Sequence, residues 1–170
     1  MRDTTWVFGY ASLIWKQDFP FIEARDGFID GWTRRLWQGS HDHRGTPDDP
    51  GRVATIIESP NERCYGRAFL IEQSVFEHLD HREKNGYERF NVPIQFATGS
   101  SPGITYLGGT NNHAFLGPAA MDDMVAQILR CEGESGRNID YVLELAHALR
   151  QMGVTDTHVE AVSEAIQHAE

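Results

Sequence analysis

The sequence predicts an α+β fold: a strand-rich, barrel-like core followed by packed helices. Three observations carry this reading. Segments up to Gly109 alternate or cluster β-branched and aromatic residues between turn signals, the last third changes to helical period, and no linker, internal repeat or low-complexity stretch divides the chain. With 170 residues, we expect 1–170 to form a single domain that buries a substantial core without a disulfide or metal.

Taken in order, "WVFGYASLIWK" (Trp6 to Lys16) begins as a buried strand, but Gly-Tyr-Ala-Ser interrupts it where a strand needs bulk. "DGFIDGWTRRLWQGS" (Asp26 to Ser40) reads as one or two strands broken at Gly31. "DHRGTPDDPG" (Asp42 to Gly51) is dense in Pro, Gly and Asp; Pro47 and Pro50 disfavour helix and central strand, which predicts a mobile rim or lid. Arg52–Ser59, Cys64–Glu72, Arg89–Thr98 and Gly103–Gly109 read as strands. One helix interrupts them in "EQSVFEHLDHREKNG". Ser74 and Glu77 fit a capping box there, Val75, Phe76 and Leu79 offer apolar contacts, and Asn85-Gly86 ends it, so that Glu83 falls on the last turn or just beyond.

Three helices close the chain. Pro118 suits the first turn of one running through "AAMDDMVAQILRC", with Met121, Val125, Ile128 and Leu129 on one face. Asn138 can cap "IDYVLELAHALRQM", which Gly153 terminates, and Thr155 or Asp156 can cap "HVEAVSEAIQHA".

A formal net charge of -10 without a Lys/Arg-rich run argues against nucleic acid and anionic membrane surfaces as partners. Cys64 and Cys131 belong to no CxxC or CxxH pair, which fits a reducing compartment. The opening "MRDTTWVFGY" lacks a basic segment followed by a long apolar one, and no stretch has the apolar length to cross a bilayer, so we expect a soluble, cytoplasmic protein. Phosphate-loop, dinucleotide, zinc-helix and nucleophile-elbow motifs are absent from the sequence, and nothing points to ATP, NAD or a serine hydrolase. His41 and His43 make an HxH pair, but without a third well-placed ligand a polar loop is the plainer reading; His78 and His81 read as surface residues.

Two stretches carry chemistry. In "GYASL" (Gly9 to Leu13), a turn after the strand can point the N–H groups of Ala11, Ser12 and Leu13 into a common space as an anion or oxyanion site; the alternative is a tight turn in which Ser12 satisfies its own backbone. "LDHREKNGYERF" (Leu79 to Phe90) carries several ionisable residues just after a helix, and its plain alternative is a solvated helix end.

Together these stretches resemble the γ-glutamylcyclotransferases, specifically the ChaC-like, glutathione-degrading branch, in which a "GYGSL" loop after the first strand binds the γ-glutamyl group and an "REKGGY"-like segment carries a catalytic glutamate. "WQGSHDHRGTPDDPGRVAT" is similar to that branch's "WQGS...HRG...PGRV", and "FLGPAAMDDMVAQILRCEGESGRNIDYVLEL" to its "YLGPA...QIL.C.G.SG.N..YL", so the likeness runs from Trp6 to about Leu145. The resemblance implies a γ-glutamylcyclotransferase-like mixed β-barrel with flanking and C-terminal helices. It implies an enzyme that needs neither cofactor nor metal, and whose partner is a small molecule, glutathione. The substrate's own α-amine attacks its γ-carbonyl, giving 5-oxoproline and cysteinylglycine. Glu83 matches the catalytic position; Tyr10, Ala11, Ser12, Leu13 and Tyr106 match the substrate-binding ones, and for Tyr106 a core aromatic with a bonded hydroxyl is the equal alternative. Arg34, Arg35, Gln38, Ser40, His43, Arg44 and Arg52 fall in the segment peculiar to the branch, where an arginine can pair with the glycine carboxylate. For each of these arginines surface charge is the plain alternative. Ala11 stands where the family usually has glycine. Two rivals are a cyclotransferase for another γ-glutamyl amine, and a non-catalytic module holding a γ-glutamyl ligand or a metal. The sequence is silent on oligomeric state.

Overall fold

The computed structural model describes residues 3–82 and 87–169. Its strands are β1 (Thr4–Gly9), β2 (Glu23–Ser40), β3 (Gly51–Glu72), β4 (Glu88–Phe96) and β5 (Gly99–Leu107), with a two-residue pair β6 (Glu132–Gly133) and β7 (Gly136–Arg137). The helices are α1 (Phe76–Arg82), α2 (Met121–Arg130), α3 (Asn138–Gln151) and α4 (Thr157–Ala169), and 3₁₀ turns occupy Ser12–Ile14 and Gln73–Val75. Strands β1 to β5 close a barrel in the order β1-β3-β2-β4-β5. β1 runs antiparallel to β3, from Thr4 opposite Glu72 to Gly9 opposite Arg67, and parallel to β5, which makes the barrel mixed. Closure removes the open edges that a five-stranded sheet would otherwise expose. Among the described residues no helix is long and apolar enough to cross a membrane.

The strands are longer than their turn signals suggest. β2 runs unbroken through Gly31, and β3 joins the two segments expected on either side of Ser59-Pro60-Asn61. Gly31 and Asn61 take positive φ, +84° and 71°, so each long strand absorbs its turn-like residues as a local bend instead of ending. Glycine enters that region without a Cβ penalty, and asparagine is among the few other residues that tolerate it.

The chain forms two compact units, Met1–Thr33 with Ile56–Gly109, and Arg34–Thr55 with Thr110–Glu170. In the first, Val7, Phe69, Ile71, Val75, Phe76 and Leu79 anchor the core, joined by Leu13 and Tyr106. The expected capping box does not form: Ser74 lies inside the 3₁₀ turn that continues β3, so it is not an N-cap, and no side chain caps that turn. The expected stop at Asn85-Gly86 lies outside the described residues.

In the second unit α2, α3 and α4 pack on one another. α2 starts at Met121 behind Ala120, leaving Pro118 ahead of the helix, and its buried face is Met124, Val125 and Ile128; Leu129 is 39% exposed. The apolar stripe is thus rotated from the expected one. Asn138 does not cap α3 but is its first residue, because its amide is engaged elsewhere: Oδ1 accepts from Arg52 N at 2.8 Å and Nδ2 donates to Arg52 O at 2.8 Å. Gly153 ends α3 at φ +75°, as its sequence position predicts, and Asp156 caps α4, its Oδ1 accepting from Val159 N at 3.0 Å.

The segment expected to be a mobile rim is pinned along its length. Glu134 N donates to Asp42 O and Ser135 N to His43 O, both at 2.9 Å, and Arg130 grips the Asp49 carboxylate from two nitrogens. A Cβ on Gly133 would lie 2.3 Å from Asp42 O, so the β6–β7 hairpin packs against this loop only because that position is glycine.

Candidate functional site

The small residues after β1 let the chain fold sharply back on itself. A Cβ on Gly9 would sit 2.7 Å from Leu13 Cβ, so the turn that brings Leu13 into the core closes only over glycine. Ala11 takes φ -146° and ψ -116°, and Ser12 opens the 3₁₀ turn, with Ile14 N donating to Ala11 O at 2.9 Å and Lys16 N to Ser12 O at 2.8 Å. Ala11 thus lies outside the positive-φ region that favours glycine. Tyr10, Ala11 and Leu13 are buried and Ser12 is half-buried. The first N–H groups of such a turn have no acceptor within the turn itself. Its carbonyl end is tied down: Gln17 Nε2 donates to Leu13 O at 2.7 Å and to Ile14 O at 2.8 Å.

From this turn a chain of hydrogen bonds leads to the second motif. Tyr10 Oη donates to Tyr106 O at 2.8 Å, across to β5. Tyr106 Oη in turn donates to Asp80 Oδ1 on α1 at 2.7 Å. Arg89, opposite Tyr106 in the β4–β5 register, holds both oxygens of the Asp80 carboxylate, one of them from Nε at 2.9 Å. Its guanidinium lies over the Phe76 ring, 4.4 Å from the centroid. Hydrogen bonding to Arg89 holds the Asp80 carboxyl below its ordinary range despite some burial. Burial, and then the hydrogen bond to Asp80, push the Tyr106 phenol well above the usual tyrosine value.

Tyr10, Ala11, Ser12, Leu13 and Tyr106 therefore lie in one unit, with Tyr10 and Tyr106 in direct contact. Glu83 lies outside the described residues. Asp80 and Arg89 were not singled out from the sequence. The signal was there in the pairing of "YERF" with "GITYLGG", which puts Arg89 opposite Tyr106, but register is set by the hairpin and not by residue type.

In the second unit the histidine pair separates. His41 stacks on His113 with centroids 6.4 Å apart, while His43 lies in a group with Asp42 and Glu134 whose ligand atoms are all within 4.8 Å. His43 Nδ1 is already 2.7 Å from Ser135 Oγ, and the two carboxylates approach opposite ring nitrogens, at 3.9 Å and 3.8 Å. Asp42, His43 and Glu134 are close enough to share a metal ion, a grouping that exposed acidic residues also make without one. Arg34 and Arg52, each with surface charge as its plain alternative, are buried: Arg34 pairs with Asp156 at 2.7 Å, and Arg52 bonds to Gln127 Oε1 and to the carbonyls of Leu36 and Gly117. Cys64 and Cys131 are free and buried.

The barrel, the small-residue turn after its first strand and the motif segments in this order define the class: the chain belongs to the ChaC-like protein family, which matches residues 5–169. Particular relatives narrow the likeness. The chain is 40% identical over 178 residues to γ-glutamylcyclotransferase 2-3 of Arabidopsis thaliana, covering 96% of this chain and 88% of that one. It is 36% identical over 172 residues to glutathione-specific γ-glutamylcyclotransferase 1 of Rattus norvegicus, covering 95% and 78%. Among solved structures, the crystal structure of the γ-glutamylcyclotransferase specific to glutathione from yeast matches with a TM-score of 0.91 at 30% identity, covering 98% of this chain and 96% of that one.

Proposed function

We propose that this protein is a cytoplasmic, glutathione-specific γ-glutamylcyclotransferase that releases 5-oxoproline and cysteinylglycine. The observation that carries the reading is the hydrogen-bonded path from the Tyr10–Leu13 turn through Tyr106 to Asp80, three residues before Glu83, in a chain of the ChaC-like family. Free, buried cysteines fit a reducing compartment.

The reaction needs no outside nucleophile. The α-amine attacks the γ-carbonyl of the same glutamyl group, a C–N bond closes the five-membered ring, the amide C–N bond breaks, and cysteinylglycine leaves as the amine. Holding the chain folded contributes up to roughly 7–11 kcal/mol through orientation alone. At neutral pH the amine arrives protonated, so Glu83 removes a proton from it and returns one to the departing nitrogen. The backbone of Tyr10, Ala11, Ser12 and Leu13 holds the γ-glutamyl group, and its N–H groups stabilise the oxyanion that develops on the γ-carbonyl. Ser12 bonds and does not attack. Proton transfer and oxyanion stabilisation are both supplied by these groups, so the mechanism calls for no metal.

The test is a comparison of purified protein on reduced glutathione and on other γ-glutamyl amines. We expect turnover of glutathione to exceed the others. Preference for a different γ-glutamyl amine would replace the substrate while keeping the chemistry, and binding without turnover would overturn both.

A further inference from the structure

The bond between Tyr106 and Asp80 fixes which way the phenol can act. Asp80 sits on α1 one turn after Phe76, and its carboxylate receives Arg89 on both oxygens. A carboxylate so held is an acceptor only, so in the 2.7 Å contact the Tyr106 hydroxyl must be the donor. The proton of the phenol is committed, and what its oxygen retains for a ligand is lone pairs. The Asp80 carboxylate is balanced by the Arg89 guanidinium, which also approaches the Tyr106 hydroxyl, so what remains at the phenol is an acceptor lone pair that suits an N–H donor and repels an oxyanion.

Within the reading proposed above, on which this rests, the substrate offers one such group near the reacting carbon, its α-ammonium. We propose that Asp80, gripped by Arg89, is a positioning residue that turns Tyr106 into an acceptor for the α-ammonium of the γ-glutamyl substrate. Tyr106 thereby holds the nitrogen that will attack, while the oxyanion is left to the backbone of the Tyr10–Leu13 turn. Division of labour follows: one motif reads the amine and the other the carbonyl. In Asp80→Asn the amide can donate to the phenol oxygen, which frees the phenol proton to face the ammonium and reverses the match.

The experiment measures kcat and KM for glutathione, and melting temperature, in the wild-type protein, Asp80→Asn, Tyr106→Phe and the double variant, with Arg89→Lys as a conservative comparison. It also measures inhibition by glutaryl-cysteinylglycine, which is glutathione without its α-amine. Loss of a hydrogen bond to a charged group predicts that Asp80→Asn raises KM about tenfold or more, with a smaller fall in kcat. The Asp80 side chain is 44% exposed, so the fold persists. The double variant should be no worse than Tyr106→Phe alone, because Asp80 acts through that hydroxyl. Arg89→Lys should fall between wild type and Asp80→Asn. Inhibition by the amine-free analogue should not change, since it has nothing for Tyr106 to accept. Unchanged KM in an active Asp80→Asn protein, additive penalties, or equal weakening of the analogue would overturn the inference while leaving the proposed function intact. A wild-type protein inactive on glutathione would overturn both.

Discussion

In the proposed mechanism Glu83 moves the protons, and that contribution is separable from folding because glutamine is nearly isosteric. Glu83→Gln should keep the melting temperature and lower glutathione turnover by about 10² to 10⁴, the range for a lost acid-base group; comparable activity in the folded variant would remove it from the mechanism. Gly9 predicts the opposite pattern. An added Cβ meets Leu13 Cβ at 2.7 Å, so Gly9→Ala should displace the turn and cost about 1–3 kcal/mol of stability along with activity. A Gly9→Ala protein with native melting temperature and turnover would show that the turn is not closed by this contact. Glycine and small residues in "GYASL" read as a demand for close approach, which the Gly9–Leu13 contact meets, whereas Glu83 rests on its motif alone and lies outside the described residues. Asp80 and Arg89 were not legible in the sequence, because each is an ordinary charged residue until register and helix direction bring it to Tyr106.

At the scale of elements, alternation revealed where strands lie and turn residues misled about where they stop. Gly31 and Asn61 bend β2 and β3 without ending them, a choice made by barrel pairing and not by local propensity. Caps divided in the same way. Asp156 caps α4 as its residue type suggests, whereas Asn138 gives both amide groups to the backbone of Arg52 on β3. Asn138 is fully buried, and truncation strands an N–H and a carbonyl, each costing about 1–3 kcal/mol when unsatisfied. Asn138→Ala should therefore lower the melting temperature sharply in thermal denaturation, and a loss no larger than that of an exposed alanine substitution would refute the clamp. α4 carries a pH-sensitive link as well. His158 Nε2 accepts from Leu36 N at 3.0 Å, which requires a neutral ring, and burial, then the nearby Arg35 charge, lower its pKa to about 4. An unfolded histidine titrates near about 6.5, so between these values the unfolded chain binds the extra proton. This stability is whole above the unfolded value and is lost as pH falls through the window. Melting temperature should drop from neutral pH toward the lower value, and less steeply in His158→Gln, whose carbonyl still accepts from Leu36; identical slopes would contradict the assignment.

For the whole molecule, the sequence conveyed an α+β barrel with closing helices because alternating strands and amphipathic helices are local patterns, while the division into two compact units rests on long-range contacts that no window of sequence displays. In the proposed mechanism the substrate cleaves itself, with the protein supplying shape, a carboxylate and backbone donors. Hydrolysis and cyclisation differ in the origin of one oxygen. Incubating the purified protein with reduced glutathione in heavy-oxygen water and analysing the products by mass spectrometry separates them. Cyclisation predicts 5-oxoproline and cysteinylglycine in equal amounts, formed at the enzymatic rate and with no heavy oxygen in either. Free glutamate carrying heavy oxygen, or no cleavage of glutathione at all, would contradict it.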